Sequence, residues 1–352
     1  MKNLYLTGIA GSGKTAIALG LALKLKKEGY NVTYFKPVGN RARFSNSEDN
    51  DALLMREVLK INAEIPQIAP FAVGTSYLSG HKNQEPVVEK IKEAYQDLSK
   101  NADLVIIDGA AFPHAGAAYS LDVLNLAGLF NASILNIIKL ENDLCVDQAI
   151  FLNNYYVLKG LKVAGHIFNN VPRQLLFKTE GIFKPLLEQR GCETLGIIPI
   201  RSEIASPTVS EYYEALGGEL LTGEDNLELL VEEVIVGAMT MDSALKYMRR
   251  SANKAVIMGG DRADMALAAL ETSTSALILT GGLYPDVKVI SCAAEKGVPV
   301  ILVHSDTYTT IEIISEVSRR IRPGDSRGIA ITVENIEKHC DWQKLMNLLE
   351  NQ

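Results

Sequence analysis

The stretch "GIAGSGKT", residues 8–15, constrains this chain more than any other. It satisfies G-x-x-x-x-G-K-[ST], a spacing in which Gly8, Gly11 and Gly13 let the backbone turn its N–H groups inward around an anion. Such a loop works only between a strand and a helix, because the helix N-terminus adds positive potential. The flanks supply both. "NLYLTG" (3–8) is a short apolar run ended by glycine, as in a buried strand. Residues 14–28 are rich in helix formers, with Lys24, Lys26 and Lys27 crowding the last turn and Gly29 following. The pattern assigns Lys14 to the β- and γ-phosphates of a nucleotide and the Thr15 hydroxyl to Mg²⁺. The competing reading is a Gly-rich turn that binds nothing.

Further apolar runs follow: "NVTYFK" (31–36), "LVIIDG" (104–109), "ASILNIIK" (132–139), "VAGHIFNN" (163–170) and "LGIIPI" (195–200). Helical patterns separate them. This alternation predicts an α/β fold with a parallel sheet covered by helices on both faces. The texture turns polar over 202–226, with Pro207 and Gly217-Gly218, and a domain boundary is expected near 205. A second alternation then begins: "KAVIMGG" (254–260), "ALILTGG" (276–282), "VPVILVHSD" (298–306) and "GIAITV" (328–333), with helical stretches near 263–270, 286–296 and 307–321. It predicts a smaller α/β domain. The reading gives domains at 1–205 and 206–325, with 326–352 as a strand and a helix closing on the second.

Several residues are candidates beside the loop. Lys36, in "FKPVG" (35–39), ends the second strand, where a neighbouring parallel strand would bring it to the ligand edge. It also reads as an ordinary solvated lysine before proline. Asp49 and Asp51, in "SEDNDALLMREVL" (47–59), would approach Mg²⁺ or favour a helix N-terminus. Asp108 ends an apolar strand, as a Mg²⁺-holding carboxylate does, or begins a plain Asp-Gly turn.

Together these pieces resemble the dethiobiotin synthetase branch of phosphate-loop NTPases, and still more the N-terminal domain of longer phosphotransacetylases. The resemblance rests on Lys36-Pro37-Val38, Asp51-Ala52-Leu53, Asp108-Gly109-Ala110, "IFNNVP" (167–172) and "LGIIPIRSEIASPTV" (195–209). It implies that Lys36 assists γ-phosphate transfer, that Asp51 and Asp108 hold Mg²⁺ with Thr15, and that Asn169 or Asn170 reads the adenine edge of ATP. The second unit resembles the DRTGG domain, through Asp261-Arg262, Thr280-Gly281-Gly282 and "SDTYTT" (305–310). That implies a regulatory or dimerising role, with those five residues as its site. Thr280-Gly281-Gly282 also reads as a tight turn, and Asp261 and Arg262 as a pair across a helix start.

Three departures limit the resemblance. About 30 residues follow the DRTGG unit, so the phosphotransacetylase catalytic domain, and with it acetyl transfer, is not expected. Four residues separate Gly8 from Gly13, where dethiobiotin synthetases have five. Their E-G-A-G-G segment reads "DGAAF" (108–112) here.

Composition narrows the classes. A net charge of −7 argues against nucleic acid as the main ligand. No apolar run approaches the roughly 18 residues of a membrane span, and no signal peptide is expected before the early polar turn. Cys145, Cys192, Cys292 and Cys340 are far apart and read as reduced thiols of a cytoplasmic protein. Three functions remain: a MgATP-binding regulator coupled to a homodimer or to a protein partner in acetyl or acyl metabolism; an ATPase or ATP-dependent ligase working through a phosphorylated carboxylate or carbamate; and a structural module with a vestigial loop.

Overall fold

A computed structural model describes residues 2–40, 49–74, 77–79, 84–315, 317 and 319–351. Ser47 and Glu48, which open the acidic stretch above, lie outside the described residues. The chain divides into two compact units, Met1–Ile200 with Ile321–Gln352, and Arg201–Arg320.

The first unit is built on a parallel sheet. Its strands are β1 (Lys2–Thr7), β2 (Val32–Phe35), β5 (Leu104–Asp108), β6 (Ser133–Lys139), β7 (Val163–Val171) and β8 (Thr194–Pro199). Their order is β2-β5-β1-β6-β7-β8. The short β3 (Val38–Asn40) and β4 (Phe71–Val73) pair separately. Every residue of β5 is buried, which is why the strands read as continuous apolar runs rather than alternating ones. Leu4 and Leu6 enter the core on one face, with Ile17 and Leu21 of helix α1 (Lys14–Lys27). Tyr5 points the other way and packs with Phe35, Ile107 and Leu126.

The C-terminal segment departs from the expectation. "GIAITV" lies within the helix Ser326–His339, and this helix belongs to the first unit rather than to the second. The run of β-branched residues suggested a strand, but the residues that become buried, Gly328, Ile331, Thr332, Asn335 and Ile336, repeat at helical spacing. Gly20 of α1 explains the docking. A β-carbon there would overlap the Thr332 carbonyl and lie 2.8 Å from Ile336 Cγ1, so the backbone of α1 lies against both backbone and side chain of this helix. The following helix, Trp342–Glu350, adds Leu345, Met346 and Leu349 to the same core. Between the helices, Cys340 bridges Gly196 and the Asp341 N–H donates to Leu195 O, which covers the edge of β8.

The second unit holds β9 (Glu219–Thr222), β10 (Glu233–Val236), β11 (Lys254–Gly259), β12 (Thr274–Thr280) and β13 (Val300–Leu302), ordered β10-β11-β12-β13-β9 with only β9 antiparallel. The polar stretch 202–226 is ordered structure. It carries the helix Val209–Leu216, opened by a capping box in which Glu211 N–H donates to Thr208 Oγ1 and Thr208 N–H donates to Glu211 Oε2, and then β9. The helix expected at 307–321 is Thr307–Ser315.

The Gly20 contact predicts that Gly20→Val lowers the stability of the full chain by about 1–3 kcal/mol, read as a lower urea midpoint. Gly181→Val, with open space around its β-carbon, is expected to leave the midpoint nearly unchanged.

Candidate nucleotide-binding site

Parallel register brings the loop and its candidate partners to one sheet edge. Leu6 pairs with Asp108 of β5, and Thr7 pairs with Asn136 of β6. The loop leaves β1 at Gly8, where a β-carbon would lie 2.5 Å from Ile137 O, and Gly11 and Gly13 both take positive φ. A β-carbon at Gly13 would overlap the Asn169 amide. That amide donates to Ser12 O at 2.8 Å, so β7 clamps the loop from beneath. Asn170, half-buried and with φ of 53°, is the neighbouring amide.

Lys14 opens α1 and curls back, its Nζ donating to Gly8 O and Ile9 O at 3.1 Å each. Burial pulls its pKa below the ordinary lysine value, against the opposing pull of Asp108. Thr15 Oγ1 donates to Asp108 Oδ2 at 3.1 Å, and Tyr34 Oη donates to the same oxygen at 2.8 Å. The other oxygen, Asp108 Oδ1, is buried with no hydrogen-bond partner. Burial pushes this carboxyl above its ordinary value; Lys36 opposes the shift and Asp51 adds to it.

Lys36 is not a solvated lysine. Its side chain is 3% exposed and its Nζ is held by Asp49 at 3.1 Å and by Asp51. Burial works against its charge, but Asp51, Asp49 and Asp108 outweigh that and raise its pKa. Asp49 also caps helix α2 (Asn50–Leu59), accepting from Asp51 N–H and Ala52 N–H. The helix-terminus reading of the acidic stretch is realised in Asp49, which also pairs with Lys36. Asp51 pairs with Lys36.

Hard oxygen donors, one of them an unsatisfied carboxylate oxygen, suit a small divalent cation, so Thr15 and Asp108 fit Mg²⁺. Among the described residues no group of three or more His, Cys, Asp or Glu forms a self-contained metal site. A cation here would therefore share its shell with a ligand or water. Two residues were not picked out in the sequence. Tyr34 orients Asp108 from β2, and Lys139, at the end of β6, has its Nζ 3.8 Å from where a Gly11 β-carbon would stand. Tyr34 lies within the apolar run "NVTYFK", but nothing in the sequence names its partner.

The DRTGG residues gather at the corresponding edge of the second unit. Thr280 Oγ1 lies 2.8 Å from Thr307 Oγ1, and Gly281 N–H and Gly282 N–H donate to Ser305 O and Val303 O. Gly281 and Gly282 both have positive φ, a turn that suits glycine. Arg262 does not pair with Asp261: its Nε bonds Asp264 Oδ1 at 3.4 Å and an Nη bonds Met239 O at 3.3 Å.

Comparison with known families agrees with this geometry. Residues 2–208 match the model of an AAA domain. The chain belongs to this AAA domain family. Residues 211–317 match the DRTGG domain. The phosphate acetyltransferase of Nitratidesulfovibrio vulgaris is 25% identical across 99% of this chain and 52% of its own length. The ATP-dependent dethiobiotin synthetase of Methanocaldococcus jannaschii is 28% identical across 57% of this chain and 95% of its own length. That of Caldicellulosiruptor saccharolyticus is 34% identical over 116 residues, 31% of this chain and 48% of its own. The chain spans about half the length of the acetyltransferase it matches. No helix among the described residues is long and apolar enough to cross a membrane.

The buried carboxylate sets a testable sign. Asp108 has a folded pKa above its ordinary 3.8, so the unfolded chain releases this proton first as pH rises. Its contribution to stability therefore falls from about pH 4 upward. Asp108→Asn removes that loss, and its thermal midpoint relative to wild type is expected to rise between pH 4 and pH 7 in ligand-free protein.

Proposed function

We propose that the chain binds MgATP in its AAA domain, and that the DRTGG domain relays nucleotide occupancy to assembly or to a protein partner. The observation that carries this reading is Asp108 Oδ1, buried without a partner on a carboxylate already held by Thr15 and Tyr34. An unpaired buried oxygen costs stability in the free protein, and a liganded cation offsets that cost. Thr15 and Asp108 hold Mg²⁺, which neutralises phosphate charge. Lys14 exchanges its loop carbonyls for phosphate oxygens, and the N–H groups of Gly11 and Gly13 face the same anion. Asn169 keeps the loop in shape, which leaves Asn170 to read the adenine edge.

On this reading Asp261, Arg262, Thr280, Gly281 and Gly282 form the regulatory site of the DRTGG domain. Coupling requires nucleotide to favour one global arrangement over another. The likeness to an acetyltransferase supports a partner that acts on acetyl or acyl groups. Four free cysteines suit a cytoplasmic setting. The test is a calorimetric titration with MgATP. Micromolar binding that Lys14→Ala abolishes is expected; no binding to the wild type overturns the proposal.

A ligase reading is favoured by one feature, the buried Lys36 held by Asp49 and Asp51 beside the loop edge. A second fixed cation stabilises charge on a transferring phosphoryl group. The regulator predicts slow ADP release that small amines and carboxylates do not change. The ligase predicts release that one such molecule raises at least ~100-fold and that Lys36→Ala removes without abolishing MgATP binding.

A further inference from the structure

The second unit interrupts the first. The chain enters it at Arg201, leaves it at Arg320, and then returns as the helix Ser326–His339. One side chain holds both connections. Glu211 is 3% exposed. Its Oε2 accepts from Thr208 N–H at 2.9 Å, just inside the entry, and its Oε1 accepts from Arg320 N–H at 2.6 Å, at the exit. Arg319 Nη1 stands 3.9 Å from the same carboxylate. Both oxygens are thus committed to the two connections by charge-assisted hydrogen bonds.

Beyond the exit, the returning helix lies on α1, whose first turn carries Lys14 and Thr15. Besides the close approach at Gly20, Glu337 pairs with Lys24 at 3.3 Å and with Lys27 at 3.4 Å. Lys24 Nζ also stands 4.8 Å from the centre of the Trp342 ring. The docked helix is not fully satisfied. Asn335 is 4% exposed, and its Oδ1 is buried with no hydrogen-bond partner. Such an orphan costs free energy in the docked position and narrows the gap to a shifted one.

We propose that the helix Ser326–His339 is a strap that carries nucleotide occupancy from α1 to the second unit, with Glu211 as its anchor. This rests on the MgATP reading above. Phosphate draws Lys14 away from Gly8 O and Ile9 O, and a cation draws Thr15, so binding acts on the first turn of α1. Close-packed interfaces answer such a displacement by stepping between arrangements rather than by deforming smoothly. A step of α1 moves the Gly20 and Lys24 contacts, the strap follows, and the pull arrives at Arg319 and Arg320. Glu211 passes it to Thr208 and to the helix Val209–Leu216, which opens on their capping box. The signal crosses through the covalent chain. The strap supplies the two-state element that coupling between sites requires.

Hydrogen–deuterium exchange of the full chain tests it, with calorimetry to report MgATP binding separately. MgATP should change exchange by at least ~5-fold in peptides covering 326–339 and 209–216. Glu211→Gln keeps the shape, but its one carbonyl oxygen can accept from only one of the two N–H groups. This variant should bind MgATP as the wild type does and keep the change in 326–339 while losing the change in 209–216. A purely structural Glu211 would instead shift exchange in 209–216 equally with and without nucleotide, and that result overturns the proposal. Asn335→Leu tests the strap without touching Glu211. It removes the orphan oxygen, should hold the strap in its docked position, and should suppress both changes. MgATP binding with no change in 209–216, or a change there that survives either variant, overturns the strap and leaves the nucleotide reading standing. No MgATP binding overturns both.

Discussion

The candidate site depends on β1 lying hydrogen-bonded between β5 and β6. That register sets Leu6 beside Asp108 and Thr7 beside Asn136. The loop therefore leaves the sheet at the one level where a carboxylate and an amide from neighbouring strands end. A slip of one residue would turn Asp108 to the other face of the sheet and part it from Thr15 and Tyr34. The close approach of Gly8 to Ile137 O and of Gly13 to Asn169 then leaves the loop little room for any other path. Glycine is required at these points by neighbours more than 120 residues away, as well as by the local turn.

Charge at this edge is held at a cost that the rest of the unit offsets. Lys14, Lys36 and Asp108 are all buried, and burial disfavours each charged form. Lys36 keeps its charge through Asp49 and Asp51. Asp108 accepts from two hydroxyls and still has an oxygen without a partner. The cores on the two faces of the sheet, including the C-terminal helices against α1, supply the stability that such a site draws on. The same sheet edge therefore carries close backbone packing at Gly8 and a carboxylate with one buried oxygen unpaired.

Much of this was legible in the chain. The loop motif, its flanking strand and helix, and the apolar run ending in Asp108 are local patterns, and local patterns survive without knowledge of the fold. Lys36 was not legible as a buried cation: position alone favoured a solvated lysine, and its environment comes from Asp49 and Asp51 after the chain has turned. Tyr34 and the clamp from Asn169 to Ser12 were not legible either, since each depends on which strands become neighbours. The closing helix was misread because Ile329, Ile331, Thr332 and Val333 carry β-branched weight in a segment whose buried faces follow a helical repeat. Packing against Gly20 overrode that propensity.

By itself the sequence determined the α/β class, the order of strands and helices around the loop, and the candidate residues that stand beside it. Those follow from short-range chemistry: glycine spacing, apolar runs, and polar side chains at strand ends. Tertiary structure alone decided that residues 321–352 return to the first unit, that Arg262 bonds Asp264 rather than Asp261, and that Asp108 has one oxygen satisfied and the other not. These outcomes depend on contacts between segments far apart in the chain, whose formation is governed by burial and register. No local pattern records which distant atom will arrive.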